Sequence, residues 1–192
     1  MTTAELVART RGRLAARERR MVVGGPLVKA AVLVPIVERE GPALVFTKRT
    51  DNVGSHRGQI SFPGGRVDPS DAGFLEAALR ETEEEIGLPR TSVEPLGALD
   101  DTETVATQFI ITPWVGLVRG AVAWTPDGHE IERVIEVPFA RLVDPAAMRV
   151  EHREREGVMR EMYFWDLEDG DVIWGATARI LKHYLDVLGA AG

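Results

Sequence analysis

The pattern of apolar and polar residues predicts a chain of strands interrupted by two main helices. Residues 28–37 are nearly continuously apolar and rich in β-branched side chains, which is typical of a buried strand. Further strands are predicted at 43–47, 59–62, 107–118, 131–137, 148–153 and 159–166. Pro113 predicts an edge position or a bulge in its strand. Strands alternating with helices indicate an α/β fold, with a mixed sheet between helical layers.

Two segments have helical periodicity. Residues 175–188 form an amphipathic closing helix, and an earlier helix is predicted to start at Ser70 or Asp71 as N-cap and to stop at Gly87, just before Pro89. At about 100° per residue, one side of this earlier helix is suited to pack inward. That side carries Leu75, Ala78, Leu79, Thr82 and Ile86.

Three carboxylates of this helix share a stripe at the edge of the inward face. Glu81, Glu84 and Glu85 follow a Gly64-Gly65 turn. Like charges at this spacing repel each other, more so when partly desolvated, and a bound cation removes that cost. Mg²⁺ prefers oxygen ligands that it shares with substrate phosphates. We expect Glu81 and Glu85 as first metal ligands, Glu84 as a third, and the Gly65 carbonyl as a further oxygen.

Arg80 stands four residues before Glu84, which predicts an ion pair that orients this carboxylate. The alternative for the whole stripe is a solvated acidic helix face. We prefer that alternative for Glu76 and Glu83, and the metal site for the other three glutamates, because those lie beside the glycine turn and Arg80.

A basic, glycine-rich stretch precedes the helix and is suited to hold phosphates. Glycines let the backbone approach a ligand where a Cβ would obstruct it. The bases of this stretch are Lys48, Arg49, His56, Arg57 and Arg66. The expected substrate-binding residues are Arg49, His56, Arg57, Gly58, Gly64 and Arg66. The alternatives are that Lys48 and Arg49 end a strand in solvent and that His56 is an incidental loop histidine.

Composition narrows the class of protein. The 192 residues suffice for one domain with a good core, and the absence of cysteine excludes disulfides, thiolate catalysis and Cys-ligated zinc. A formal charge of −7 weighs against duplex nucleic acid as a partner. No apolar run approaches the ~20 residues of a membrane span. We therefore expect no nucleic-acid or membrane partner, and a cytoplasmic location.

The chain begins with a segment of different character. Residues 1–24 predict a basic helical extension that is rich in Arg and Ala, followed by the folded domain at 25–192. Glu5 and Glu18 weigh against an organellar transit peptide. We expect a helix that is solvated or packed against a partner, and a homodimer contact through it is left open.

The glutamate helix closely resembles the signature of the Nudix hydrolase family. The matching positions are Gly65, Arg80, Glu81, Glu84, Glu85, Gly87 and Leu88. Two positions depart from the signature. Asp71 stands for the first glutamate, and the segment between it and Arg80 is one residue longer than the family's spacing; Thr82 occupies an apolar position.

This resemblance implies a Nudix α/β/α sandwich with a mixed β-sheet between helices. It also implies hydrolysis of a diphosphate that depends on Mg²⁺ or Mn²⁺, in which a metal-activated water attacks phosphorus. In such enzymes the base that deprotonates the water varies. Glu130, directly before the strand at 131–137, stands where they often carry an acid, and the alternative is a strand-end glutamate in solvent.

A second resemblance concerns the substrate. The segment before the signature is similar to that of coenzyme A pyrophosphatases, through Thr47, Arg49, Gly58, Phe62, Pro63, Gly64 and Gly65, and residues 173–180 are also similar. An Arg of that pattern is replaced by Gly54. The resemblance implies cleavage of coenzyme A to 3′,5′-ADP and 4′-phosphopantetheine. The alternatives are ADP-ribose, a dinucleoside polyphosphate or a nucleoside diphosphate sugar as substrate, or a non-catalytic nucleotide-binding module.

Overall fold

The computed structural model describes residues 1–24, 26–51, 58–104, 108–155 and 157–190. The helices are α1 (Thr3–Ala15), α2 (Phe74–Ile86), α3 (Phe139–Leu142) and α4 (Gly175–Leu188). The strands are β1 (Val28–Glu38), β2 (Pro42–Arg49), β3 (Ile60–Ser61), β4 (Gly64–Arg66), β5 (Val93–Ala98), β6 (Thr102–Thr104), β7 (Phe109–Val118), β8 (Ile131–Pro138), β9 (Met148–Arg155), β10 (Val158–Asp166) and β11 (Val172–Ile173).

The first eight strands form one mixed sheet. Its central pair, β1 and β7, is parallel, whereas the other strand pairs of this sheet are antiparallel. The order runs β3-β2-β1-β7-β5, with β8 beside β2, β4 beside β1 and β6 beside β7. Strands β9, β10 and β11 form a separate antiparallel sheet.

Helices cover both faces of the mixed sheet. On one face, α2 packs its buried Ala78 and Ile86 in a cluster with Leu33 of β1. On the other face, α1 and α4 pack in a cluster that includes Val34 and Ile36 of β1. Because β1 is buried from both sides, its sequence is apolar almost without interruption. The predicted sheet between helical layers is confirmed.

The N-terminal helix packs against this chain's own core. A capping box between Thr2 and Glu5 begins α1, and Leu6 is completely buried. The Thr10 hydroxyl lies 2.7 Å from the hydroxyl of Tyr184 in α4. The expectation of a helix that is solvated or held by a partner is therefore wrong, since α1 covers apolar surface of β5 and α4.

Two other expectations about elements are corrected. Helix α2 starts at Phe74, after Gly73, and not at Ser70 or Asp71, because the Asp71 side chain binds Arg80 instead of capping the helix. Of the two alternatives predicted from Pro113, the edge position is wrong, since β7 lies between β1 and the pair β5 and β6. Pro113 stands opposite the break between β5 and β6, where its carbonyl accepts a hydrogen bond from Leu99.

The predicted end of α2 is confirmed at Gly87, which has a φ of 70°. Thr82, the polar residue at an apolar signature position, is buried, and its hydroxyl donates to the Ala78 carbonyl at 2.6 Å. In the described part of the chain, no helix is both long and apolar enough to cross a membrane.

Candidate active site

Two glycines bring the β4 backbone against both β1 and α2. Gly64 has a φ of 141°, and a Cβ there would lie 2.3 Å from the Ala31 carbonyl oxygen. A Cβ on Gly65 would lie 2.5 Å from the carboxyl carbon of Glu81. The first position needs glycine for its backbone conformation and its close packing, and the second needs it for the approach of Glu81.

Glu85 is the most deeply buried acid of α2. Its side chain accepts a hydrogen bond from the Gly64 N–H at 3.0 Å, and the residue is 8% exposed. Burial raises the pKa of Glu85 to about 8, helped by the negative charges of Glu81 and Glu130 and opposed by the Gly64 N–H and Arg49.

Glu81 lies beside Glu85 and is half-buried. Burial raises the pKa of Glu81, with a further contribution from the negative charges of Glu84 and Glu130. The Arg80 guanidinium opposes this shift of the pKa through an ion pair at 3.0 Å. Glu81 and Glu85 are thus two neighbouring carboxylates whose surroundings disfavour their charged forms.

Arg80 connects the helix to the loop before it. Asp71 binds the guanidinium through both carboxylate oxygens, at 2.9 and 3.0 Å. The opposite side of Arg80 donates to Glu84 at 3.0 Å, as the spacing of four residues predicts, and its Nη2 donates to the Arg66 carbonyl at 3.1 Å. The pKa of Asp71 is lowered, chiefly by its hydrogen bonds from Arg80. Asp71 therefore fixes Arg80, in spite of the longer loop.

The oxygen donors on α2 fit a hard divalent cation by their chemistry. Within the described ranges, no three His, Asp or Glu side chains form a ready-made cage for a metal ion. Glu81 and Glu84 point to Arg80, and Glu85 points to Gly64. Mg²⁺ usually takes only one or two carboxylates and keeps waters and substrate phosphates as its other ligands, so a complete cage is not required.

Arg49 and Glu130 meet beside these glutamates. Arg49 ends β2, Glu130 directly precedes β8, and their side chains form an ion pair of 2.9 Å. The charges of both residues act on the pKa of Glu85, so they lie within electrostatic range of it. Strand pairing thus unites an arginine and a glutamate 81 positions apart with the carboxylates of α2.

The remaining residues expected to bind substrate are distributed differently. Gly58 has a φ of 63°, and the Arg66 guanidinium lies 5.3 Å from the centre of the Phe109 ring. Lys48 pairs with Asp171 at 3.1 Å. Its expected place among the phosphate-holding bases stays a prediction. His56 and Arg57 lie outside the described residues.

A model of the NUDIX domain matches residues 27–164 of this chain. The chain belongs to the Nudix family. It is 36% identical over 155 residues to the "Uncharacterized Nudix hydrolase NudL" of Yersinia pestis (strain Pestoides F), a match that covers 81% of this chain and 77% of that protein.

Solved Nudix structures share the fold at low identity. A MutT/nudix family protein from Enterococcus faecalis matches with a TM-score of 0.52 and 16% identity, over 98% of this chain and 75% of that one. An Ap4A hydrolase from C. elegans, in a binary complex, matches with a TM-score of 0.50 and 20% identity, over 61% of this chain and 84% of that one. These structures show the fold, whereas the family model and the NudL relative show that this chain is a Nudix hydrolase. Such hydrolases generally use divalent metal ions and act on small molecules.

Sequence reasoning missed two residues of this Nudix hydrolase that link the Glu130 segment to α2. The Thr125 N–H donates to the Ile86 carbonyl at 2.9 Å, and the Asp127 N–H donates to the Glu85 carbonyl at 3.0 Å. The only available signal was the Asp-Gly pair at 127–128, which indicates a turn but does not reveal what the turn touches.

Proposed function

We propose that this Nudix hydrolase is a Mg²⁺- or Mn²⁺-dependent diphosphatase that cleaves the P–O–P linkage of coenzyme A. The observation that carries the proposal is the pair of desolvated carboxylates, Glu81 and Glu85, held against the Gly64-Gly65 backbone. Bound divalent ions would neutralise charge that develops on the phosphates and lower the pKa of water.

In this proposal, Glu81 and Glu85 are the first metal ligands, with Glu84 and the Gly65 carbonyl in addition. Burial excludes water from Glu81 and Glu85, so their electrostatic interaction with a cation would be strong. Arg80, which Asp71 fixes, orients Glu84 and Glu81 from one guanidinium nitrogen.

These roles predict that Glu85→Gln lowers turnover by orders of magnitude while the fold is retained.

Glu130 is proposed as the general base that accepts a proton from the attacking water. Its side chain is 45% exposed, so substrate and water can reach it, and its charge acts on the pKa of Glu85. A general base must come within about 3 Å of the proton that it abstracts, directly or through one water. Arg49, its partner, carries a fork of N–H donors suited to a phosphate oxygen.

The choice of coenzyme A rests on the segment before the signature. Thr47, Arg49, Gly58 and residues 62–65 match the pattern of coenzyme A pyrophosphatases. In this proposal, Arg49 and Arg66 supply positive charge that binds the phosphates, and Arg66 directly follows Gly65 in the sequence. Water adds across the diphosphate, which gives 3′,5′-ADP and 4′-phosphopantetheine.

A substrate screen tests this proposal. Purified protein is incubated with coenzyme A, ADP-ribose, a dinucleoside polyphosphate and a nucleoside diphosphate sugar, each with Mg²⁺, Mn²⁺ or EDTA, and products are separated by chromatography. We expect coenzyme A to be cleaved fastest, and EDTA to abolish cleavage. Faster cleavage of another substrate would overturn the choice of substrate alone. Binding without metal-stimulated turnover would instead indicate a nucleotide-binding module.

A further inference from the structure

One carboxylate oxygen organises the backbone on which Glu130 stands. Asp127 Oδ1 accepts three hydrogen bonds, from the N–H groups of His129, Glu130 and Ile131, at 3.1, 3.0 and 2.8 Å. These three residues form the turn into β8. A single acceptor thus fixes the direction in which the chain leaves the turn.

The same residue is bonded to the glutamate helix. The Asp127 N–H donates to the carbonyl of Glu85 at 3.0 Å. Two positions earlier, the Thr125 N–H donates to the carbonyl of Ile86. The Thr125 side chain also packs closely on the end of α2, since a Cβ on Gly87 would lie 3.0 Å from it. The end of α2 and the turn before β8 are therefore joined directly, through backbone atoms that do not depend on side-chain rotamers.

We propose that Asp127 is a positioning residue that holds Glu130 at a fixed place relative to the carboxylates of α2. This inference rests on the proposed function, because it assigns Asp127 a role through Glu130. On the other side, Thr50 holds the same backbone, since its N–H donates to the Glu130 carbonyl and its hydroxyl to the His129 carbonyl, both at 2.9 Å. Asp127 supplies the connection to α2 that Thr50 does not.

The consequences of removing this carboxylate differ from those of damaging the core. Asp127 is exposed, so truncation leaves no cavity. Its loss releases three N–H groups and lets the Glu130 side chain move away from the place where substrate is attacked. A displacement of about 1 Å at a reacting group can cost around 100-fold in rate.

Three variants test the proposal with coenzyme A and Mg²⁺. Asp127→Ala removes the acceptor, whereas Asp127→Asn retains the same oxygen, because all three bonds go to Oδ1. Asp144→Ala is the matched control, since Asp144 Oδ1 accepts from Ala146 N in a distant surface turn. We expect kcat to fall about 10- to 100-fold in Asp127→Ala, and to stay near wild type in Asp127→Asn and in the control.

A double-mutant cycle separates positioning from general support of the fold. If Asp127 acts through Glu130, Asp127→Ala adds little to the loss already caused by Glu130→Gln. Losses that multiply in the double variant would overturn the inference, and would leave the diphosphatase itself intact. An equal loss of kcat in Asp127→Asn and Asp127→Ala would also overturn it, since the shared oxygen would then not matter.

Amide hydrogen exchange gives a readout that needs no turnover. In Asp127→Ala, the N–H groups of residues 129–131 are expected to exchange faster, with no change in Asp127→Asn. Unchanged exchange in Asp127→Ala would overturn the inference whether or not the enzyme is active. Wild-type protein that hydrolyses no diphosphate would defeat the proposed function, and the inferred role in catalysis with it, while exchange would still report whether Asp127 holds this backbone.

Discussion

Glu85 is a carboxylate in surroundings that disfavour its charge. It is 8% exposed and lies near two other acids, while the Gly64 N–H and Arg49 favour the ionised form. Without a cation, the protein therefore loses stability when this group ionises. The raised pKa is a property of the folded state, since the ordinary value is 4.5 and the folded value is about 8.

Replacement by Gln should make the metal-free protein more stable at alkaline pH. A pKa raised on folding gives stability that is full below 4.5 and is lost as the pH rises through about 8. In EDTA at pH 9, we expect Glu85→Gln to exceed wild type by roughly 5 kcal/mol in the free energy of unfolding, and the difference to vanish near pH 4. Urea denaturation at both pH values measures this.

Glu132→Gln serves as the control for that experiment, because Glu132 is an exposed acid two residues into β8. It should change stability little at either pH. Added Mg²⁺ should stabilise wild type more than Glu85→Gln, because binding to the folded state alone raises stability. Identical unfolding curves for wild type and Glu85→Gln at pH 9 would contradict the inferred cost of ionisation.

For single residues, helical spacing was sufficient to predict contacts within α2 but not contacts of α2 with other segments. The ion pair between Arg80 and Glu84 follows from their separation of four residues. The bond from Asp71 to Arg80 depends on how the loop closes, and the contact of Asp127 with α2 depends on strand pairing far along the chain. Neither follows from a local period. The proximity of Glu130 was expected only from the family resemblance.

At the scale of elements, β4 and α2 form one unit. Gly64 packs on β1 and Gly65 packs on Glu81, so the short strand fits between the sheet and the helix. The two neighbouring glycines have different neighbours. A Cβ added at Gly64 would clash with backbone atoms of β1, whereas a Cβ added at Gly65 would clash with the end of the flexible Glu81 side chain.

Alanine at these two glycines should therefore have separate effects. Gly64→Ala combines an unfavourable φ of 141° with a backbone clash, so we expect it to cost about 3 kcal/mol of stability. Gly65→Ala should cost about 1 kcal/mol or less but displace Glu81. We expect it to raise the Mg²⁺ concentration needed for half-maximal activity at least several-fold. Thermal unfolding measures the loss of stability, and metal titration of the activity measures the effect on Mg²⁺. A larger loss of stability in Gly65→Ala than in Gly64→Ala would refute the packing described.

Periodicity located the long elements and missed some of the short ones. Strand β1 and helix α4 were predicted because each has a long, regular apolar pattern. Strands β4 and β5 contain glycine or proline and are held by neighbouring strands, so their sequences give no strand signal. The start of α2 was predicted wrongly because Asp71, a residue type that often caps helices, instead accepts a hydrogen bond from Arg80.

For the whole molecule, an arginine-rich segment after α1 ties the N-terminus to the sheet. Arg17 and Arg20 both pair with Asp100, and Arg19 pairs with Asp101, in the short link between β5 and β6. Burial acts to raise the pKa of Asp100, but hydrogen bonds from Arg20 and Arg17 outweigh it, and the pKa is lowered. Composition indicated basic residues here but could not identify their acidic partners.

Asp100→Asn should destabilise the protein at neutral pH and not in acid. A carboxylate whose pKa is lowered on folding contributes stability above its ordinary value of 3.8, and this is lost as the pH falls through the folded value. We expect a loss of about 2 kcal/mol at pH 7, shrinking as the pH is lowered below 3.8. Urea unfolding across this range measures it.

Asp169→Asn is the matched control, because Asp169 pairs with Arg133 while its side chain is 65% exposed. An exposed ion pair contributes at most about 1 kcal/mol. Equal losses in both variants at pH 7 would show that the segment after α1 is not anchored through Asp100.

The position of Arg80 has a consequence for the metal-free state of the protein. One guanidinium nitrogen pairs with both Glu81 and Glu84, so these side chains share a positive partner within the chain itself. In the proposed metal site, a cation would replace Arg80 as the positive partner of these carboxylates, and loss of the cation would return them to Arg80. The metal-free protein would then need no change of its backbone to bind the cation again.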